Sequence, residues 1–360
     1  MYSENNSENI ILERMKSSVA NDVDKSEGSF IHDALSPAAN EFAQFYIKLD
    51  EVASKFNIEN LQGDELSERI YQRTGITRNP ATYAYTELTV TGTGNINIDD
   101  LFEISDEIQF KAVESKTING SDTVKVQCVQ PGSIGMVPAN QITKLPIVIT
   151  GISSVTNLEP TQDGFDEEDD SSLIERYYER VSAPATQGNI AQYISLAKNC
   201  PGIGDVKVYP TWNGNNTVKL IVIDANKQPP SDELVNELQN YMDPAPQGLG
   251  NGAAPFGAVT TVQGAAAKQI NVSFTAVRDP GYSDTQRLQN FQDTLTEYLQ
   301  SIAFKENYVS YSKIGSIIFS TPGFKDYSNL TVNGDTSNII LNYTSSLTET
   351  PVKGVVNIVY

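Results

Sequence analysis

The chain has one histidine, His32, and two cysteines, Cys128 and Cys200. A serine-histidine-acid triad or a histidine-rich zinc site therefore has almost nothing to draw on. His32 stands beside the apolar Ile31 in a helical pattern, so packing or solvent exposure accounts for it. Cys128 falls in an alternating apolar run and Cys200 at a helix end before Pro201-Gly202. Two unpaired thiols in a reducing compartment are the expectation. No apolar run approaches the roughly 20 residues of a membrane span. The amino terminus, Met-Tyr-Ser-Glu-Asn-Asn-Ser-Glu-Asn, lacks the basic and apolar parts of a signal peptide. The chain is expected to be made and folded in cytosol. Cations are also scarce: 25 lysines and arginines against 45 acids leave a net charge of −20 with histidine neutral. Such a surface repels phosphate backbones and anionic lipid, which disfavours nucleic acid and membrane as partners.

Other chemistry is missing as well. No Gly-Lys-Ser/Thr phosphate loop is present. Gly92-Thr93-Gly94 follows a strand pattern but opens no helix, and a dinucleotide site needs that helix start for its pyrophosphate. Asp163 with Asp166 to Asp170 misses the ligand spacing of an EF-hand, and acids ahead of a helix already favour the positive end of its dipole. No cofactor, metal or catalytic residue is expected. Paired carboxylates for glycoside hydrolysis stay open, because their separation in space is invisible in a sequence. The one tryptophan, Trp212, lies in a hairpin turn, where it is either a contact residue or packed over a neighbouring strand.

What the chain does have is a long helical seam. Apolar residues recur at Ile31, Leu35, Ala38, Phe42, Phe45, Leu49, Val52 and Phe56, with spacings of four and three throughout. That is the a/d pattern of a helix packed lengthwise on other helices. Ser36-Pro37 reads as a cap and first-turn proline, so the pattern predicts a short helix over Phe30 to Leu35, a break, and a main helix from Pro37 to about Phe56. A shorter helix precedes, with Ile11, Met15 and Val19 on one face. Another follows, with Leu66 and Ile70 and a stop at Gly75. Spacing alone leaves two readings: an arm that needs a partner, or a helical subdomain folded back on its own body.

From Tyr83 to about Ser154 the period drops to two. Thr86 to Thr91, Ile108 to Ala112 and Val124 to Cys128 alternate, separated by turn signals at Gly92-Thr93-Gly94-Asn95, Asn119-Gly120-Ser121-Asp122 and Pro131-Gly132-Ser133. A small antiparallel sandwich or barrel is predicted. An acidic linker, Gly164 to Asp170, leads to a helix over Ser172 to Val181. After Pro184-Ala185-Thr186-Gln187-Gly188 comes a helix with Ile190, Tyr193, Ile194 and Ala197, then a hairpin of Val206 to Tyr209 and Val218 to Ile223 about Trp212-Asn213-Gly214. A further helix, Asp232 to Met242, takes Ser231 as its cap. The last third reads as a weaker copy. Thr321-Pro322-Gly323 mirrors Cys200-Pro201-Gly202, and Val332-Asn333-Gly334 mirrors the hairpin turn before an apolar strand at Asn338 to Leu341. Ahead of it, Ile270 to Ala276 alternates as a strand, and Ser283 with Gln286 forms a capping box for a helix carrying Leu288, Phe291, Leu295, Tyr298 and Ile302. A duplicated α+β unit is the expectation.

These residues, taken in order, resemble the baseplate J-like proteins of contractile phage tails and related injection particles. The resemblance runs through Ala20 to Ala38, Gly135-Met136-Val137-Pro138-Ala139, Gly151 to Asn157, Pro184 to Asn189, Cys200 to Val206 and Tyr327-Ser328-Asn329-Leu330. Gly92 to Asp100 departs from it, being shorter and more acidic than the turn expected there. The patterns together predict an α+β multidomain chain: a helical arm at 1–80, an antiparallel β domain at 81–157, and α+β units at 158–268 and 269–360. The resemblance implies a structural baseplate wedge subunit, not an enzyme, made in the bacterial host and sited in the particle baseplate. The seam would join a second copy and a companion wedge protein. Neighbouring wedges, a sheath initiator and hub or tube proteins would complete the ring. The 158–360 region is expected to fold as a separable body. A glycan-binding or glycan-degrading tail-associated protein is the alternative.

Overall fold

The computed structural model describes residues 1–104, 108–182, 186 and 188–360, which form two compact units. The first holds 1–77 together with Asp169–Tyr178; the second holds 78–168 and 179–360.

In the first unit, α1 (Glu8–Ser17) packs against α2 (Phe30–Ser54). The Ser29 hydroxyl starts α2 by accepting the His32 backbone N–H at 3.3 Å. The helix then runs unbroken through Pro37, so the expected break at Ser36-Pro37 is absent. Proline costs a helix the bond to the carbonyl four residues earlier. Asp33 and Pro37 are both exposed, so that loss falls on a wet face, while Ala39 and the half-buried Leu35 pack into the small core with Ile11 and Leu12. Val19 lies beyond the end of α1, and Leu12 takes the place its spacing claimed. Helix α3 (Gly63–Thr74) buries Leu66 and Ile70 and ends at Gly75, whose left-handed φ of 75° carries its N–H back to the Tyr71 carbonyl. Leu173 and Tyr177, from the start of α4 (Asp170–Ser182), fill the same cluster beside Ile58 and Leu61.

The second unit begins with a sheet ordered β2-β3-β4-β1-β5, all antiparallel: β1 (Tyr85–Ile96), β2 (Leu101–Glu103), β3 (Gln109–Ala112), β4 (Lys116–Cys128) and β5 (Ile152–Asn157). Leu88, Val90, Phe102, Phe110, Ile118 and Val124 form its core. Two of the three expected turns are corrected here. Gly92-Thr93-Gly94-Asn95 and Asn119-Gly120-Ser121-Asp122 lie inside strands and face each other, Gly92 opposite Gly120 and Thr93 opposite Asn119. The glycines serve close approach instead of reversal: a Cβ on Gly92 would stand 2.2 Å from the Gly151 carbonyl oxygen, where β1 bulges against β5.

Helix α5 (Ile190–Lys198) leads to β6 (Ile203–Pro210), which forms the expected hairpin with β7 (Thr217–Asp224). Helix α6 (Asp232–Met242) starts at Ser231, whose hydroxyl accepts the Leu234 N–H at 3.1 Å, and returns the chain to β8 (Val259–Gly264), parallel to β7. The connection carrying the Pro184-to-Gly188 motif includes 184, 185 and 187, which lie outside the described residues. The acidic stretch is not a slack linker: Phe165 is buried, Asp166 accepts the N–H and hydroxyl of Ser133 at 2.8 Å each, and Asp169 accepts the Ser172 N–H at 2.7 Å.

The last sheet is ordered β11-β9-β13. Strand β9 (Ala266–Arg278) is central and packs Ile270, Val272 and Phe274 with Phe291 and Leu295 of α7 (Asp284–Ile302), whose Ser283/Gln286 capping box is present. Next come β10 (Tyr308–Val309) and α8 (Tyr311–Ser320). Gly202 and Gly323, in the matching Pro-Gly loops, both need positive φ, 88° and 110°, and each opens onto a strand. The copy fails one step later. Strand β11 (Phe324–Val332) pairs back to β9, not forward to a hairpin partner. The expected strand near Asn338 is only β12 (Ile339–Ile340), paired with β10. The strand that covers the other edge of β9 is β13 (Glu349–Val359), running parallel to it and absent from the sequence reading. A buried central strand needs a partner on each edge, and β9 takes them from β11 and β13.

Two predictions follow from this architecture. Asp224 ends β7 buried, and burial, reinforced by Asp163, pushes its carboxyl up to about 7 against backbone hydrogen bonds from Gln228 and Asn226. A carboxyl raised on folding stabilises the fold fully below the ordinary aspartate range, and that contribution is gone once pH has risen past about 7. The denaturant midpoint of the protein should therefore fall between pH 5 and pH 8. Asp224→Asn should flatten that fall, and an unchanged slope would refute the assignment. Second, Tyr85 and Gln162 exchange backbone hydrogen bonds at 2.9 Å, and the Val137 N–H donates to the Thr161 hydroxyl at 2.7 Å. Each such bond contributes about 1 kcal/mol. A fragment 158–360 loses them, so circular dichroism should show it melting about 5–10 °C below a fragment 78–360. Coincident melts would mean that 158 is a true domain edge.

Candidate docking interface on the helical arm

Helix α2 carries apolar side chains on more than one face. Its internal face is built from Leu35, Ala39, Ala43 and Tyr46, against Ile11, Leu12 and Met15 of α1. Ala39 and Ala43 have no bulk beyond Cβ, which lets α1 lie close. Asp50 extends the same line and fastens the amino terminus: its carboxylate accepts the backbone N–H groups of Tyr2 at 2.7 Å and Ser3 at 2.9 Å, and the Ser3 hydroxyl. Burial alone would raise the Asp50 carboxyl, but these bonds hold it below the usual carboxylate range.

The seam lies roughly a quarter-turn around the helix from that face, at 100° per residue. Phe42, Phe45, Val52 and Phe56 are open to solvent, at 51, 61, 57 and 68% of their surface, but α2 ends at Ser54, so Phe56, expected on the helix, lies in the turn after it. Ile31, Leu35, Ala38 and Leu49 are half-buried, and of these Leu35 also joins the α1 cluster. Phe45 meets the ring of its neighbour Tyr46 edge to face, with centroids 6.1 Å apart. Phe30 and Ile47 are exposed apolar residues outside the seam pattern. The internal face was equally legible as a spacing, Leu35-Ala39-Ala43-Tyr46, but two alanines do not stand out from a background of larger side chains.

Chemically, this stripe can exclude water against another apolar surface and little else. The His32 ring meets the carboxylate of the adjacent Asp33 at 3.2 Å. Both cysteines are free thiols, and burial pushes that of Cys200 up to about 11. Trp212 is partly exposed with the Lys219 ammonium 4.8 Å above its ring, so it both packs over a strand residue and reaches solvent. Among the described residues no group of histidine, cysteine and acid side chains is placed to hold a metal, and no helix is long and apolar enough to cross a membrane.

Comparison with known proteins identifies the family. Three family profiles match in succession: the baseplate J-like protein barrel domain over 87–164, the baseplate J-like central domain over 185–264, and the baseplate J-like protein C-terminal domain over 270–350. The chain is 35% identical to the uncharacterized protein YqbT of Bacillus subtilis strain 168, across 97% of this chain and 96% of that one. It is 33% identical over the same shares to the phage-like element PBSX protein XkdT of that strain. It is 27% identical to baseplate protein gp47 of Escherichia phage Mu, across 55% of this chain and 57% of gp47. A chain in the cryo-EM structure of the anti-feeding prophage baseplate, 6-fold symmetrised, is similar at 12% identity with a TM-score of 0.39, covering 96% of this chain and 97% of that one. The three successive profile matches and the near-full-length relatives mark the molecule as a baseplate component. It belongs to the baseplate J-like family.

Proposed function

We propose that the chain is a wedge subunit of the baseplate. Through the seam of α2 it pairs with a second copy of itself and with a companion wedge protein. Its carboxy-terminal part meets neighbouring wedges to close a ring around the hub and tube, with the sheath initiator seated nearby. The domain layout that goes with this role is an arm at 1–80, a β domain at 81–157, and α+β units at 158–268 and 269–360. The role is architectural and needs no catalysis or cofactor, and assembly takes place in the cytoplasm of the bacterial host.

The observation that carries this reading is the open stripe of Phe42, Phe45 and Val52 on α2, continued by Phe56 in the turn just past its end. Apolar surface of that extent on one face is costly in water and marks an interaction site. Co-expression with the companion wedge protein tests it. Native mass spectrometry should find a complex holding two copies of this chain and one of the companion. A chain that stays single in the presence of the companion would overturn the reading.

A further inference from the structure

A cavity of about 690 Å³ lies wholly within the second unit, beside β1 and β4 and the start of α6. Chain segments far apart in sequence meet in it. Tyr83, Tyr85, Pro80, Pro160 and Pro201 supply broad apolar faces to the wall. The charged lining is almost all of one sign: Glu87, Glu159, Asp163, Glu233 and Glu237 against Lys125. Lys125 is already held by Glu233, at 2.6 Å. Asp163 turns to the Ser231 hydroxyl, also at 2.6 Å. No other lysine or arginine lines the space among the described residues.

Like charges gathered around a void favour whatever brings the opposite charge. Burial first, and then Glu233 as a neighbour, hold Asp163 above the usual carboxylate range. Burial, then Asp163 and Glu233, do the same to Glu237. A single metal ion is a poor match, because no three of the acids are placed to ligate one. A phosphate-bearing ligand would be repelled. The volume is that of a small-ligand pocket, far larger than one ion requires. Proline and tyrosine faces suit the backbone and alkyl stems of an extended peptide, and tyrosine faces also attract cations.

We propose that this cavity receives a lysine- or arginine-bearing extended segment of another protein, with its cationic head groups among Glu159, Asp163 and Glu237. This contact is separate from the helix seam, and it stands or falls without it. A fluorescein-labelled Lys-Arg-Lys-Arg peptide, titrated against the full chain by fluorescence anisotropy, tests it. Saturable binding is expected. The double variant Glu159→Gln/Glu237→Gln should weaken it at least tenfold, and so should Val113→Trp, which fills the space without altering charge. Glu13→Gln/Glu41→Gln removes the same charge from the arm and should leave binding unchanged. Absence of saturable binding would overturn the proposal. So would equal weakening by both double variants, or spermidine competing as tightly as the peptide, which would make the cavity a polyamine site.

Discussion

Phe45→Glu, co-expressed with the companion wedge protein, is expected to remain unassembled while its own fold survives. The Phe45 side chain is mostly exposed in the single chain, so the substitution removes little from the arm itself. In a helix bundle the same position would be covered. Burying a phenylalanine contributes roughly 1.5–3 kcal/mol, and an unpaired carboxylate in its place is severely unfavourable. Leu49→Glu should act in the same direction, with a small loss of arm stability because Leu49 is half-buried. Ala43→Glu is the contrasting control, since Ala43 packs against α1 and its loss should melt the arm directly. Size-exclusion chromatography with light scattering reads the mass of each co-expressed mixture. Wild-type stoichiometry in both Phe45→Glu and Leu49→Glu would show that the seam is not the docking face.

The largest loss of stability is expected at Phe274. Its ring sits on the central strand β9, edge to face with Phe291 at 5.2 Å and Phe324 at 5.6 Å, and is 1% exposed. Phe274→Ala removes the ring from a core with backbone on one side and helix α7 on the other, so collapse into the void is limited. Substitutions of this kind cost about 3–5 kcal/mol. That corresponds to a fall of roughly 6–20 °C in melting temperature for a unit of this size. Chemical denaturation of the full chain should show the midpoint falling with little change in slope. A loss below about 1 kcal/mol would mean that the cluster repacks freely.

Features decided by neighbours in the chain were readable from the sequence. The capping box at Ser283 and Gln286, the cap at Ser231 and the stop at Gly75 each depend on hydrogen bonds within a turn or two, so residue types specify them. The hairpin of β6 and β7 was readable for the same reason. Long-range pairing was not. Nothing local tells β11 to pair with a strand about fifty residues earlier, or tells Gly120 to meet Gly92 across a ladder instead of making a turn. Pro37 misled because its cost depends on which face meets water, and a linear pattern does not hold that information. The seam was legible from spacing as one stripe. Its division into open and half-buried members depends on where α1 lies, and only packing reveals that.

The make-up of the first unit sets a schedule for synthesis. Its α3 cluster is completed by Leu173 and Tyr177, which the ribosome delivers only after all of 78–168 has been made. At roughly 5–20 residues per second, the interval from residue 77 to residue 169 lasts about 5–20 s. During that time Leu66 and Ile70 lack part of their cover, while the stripe of α2 has already been synthesised. A nascent chain therefore holds two sticky surfaces at once, and the arm becomes a finished building block only when the β sheet that follows it has had time to form.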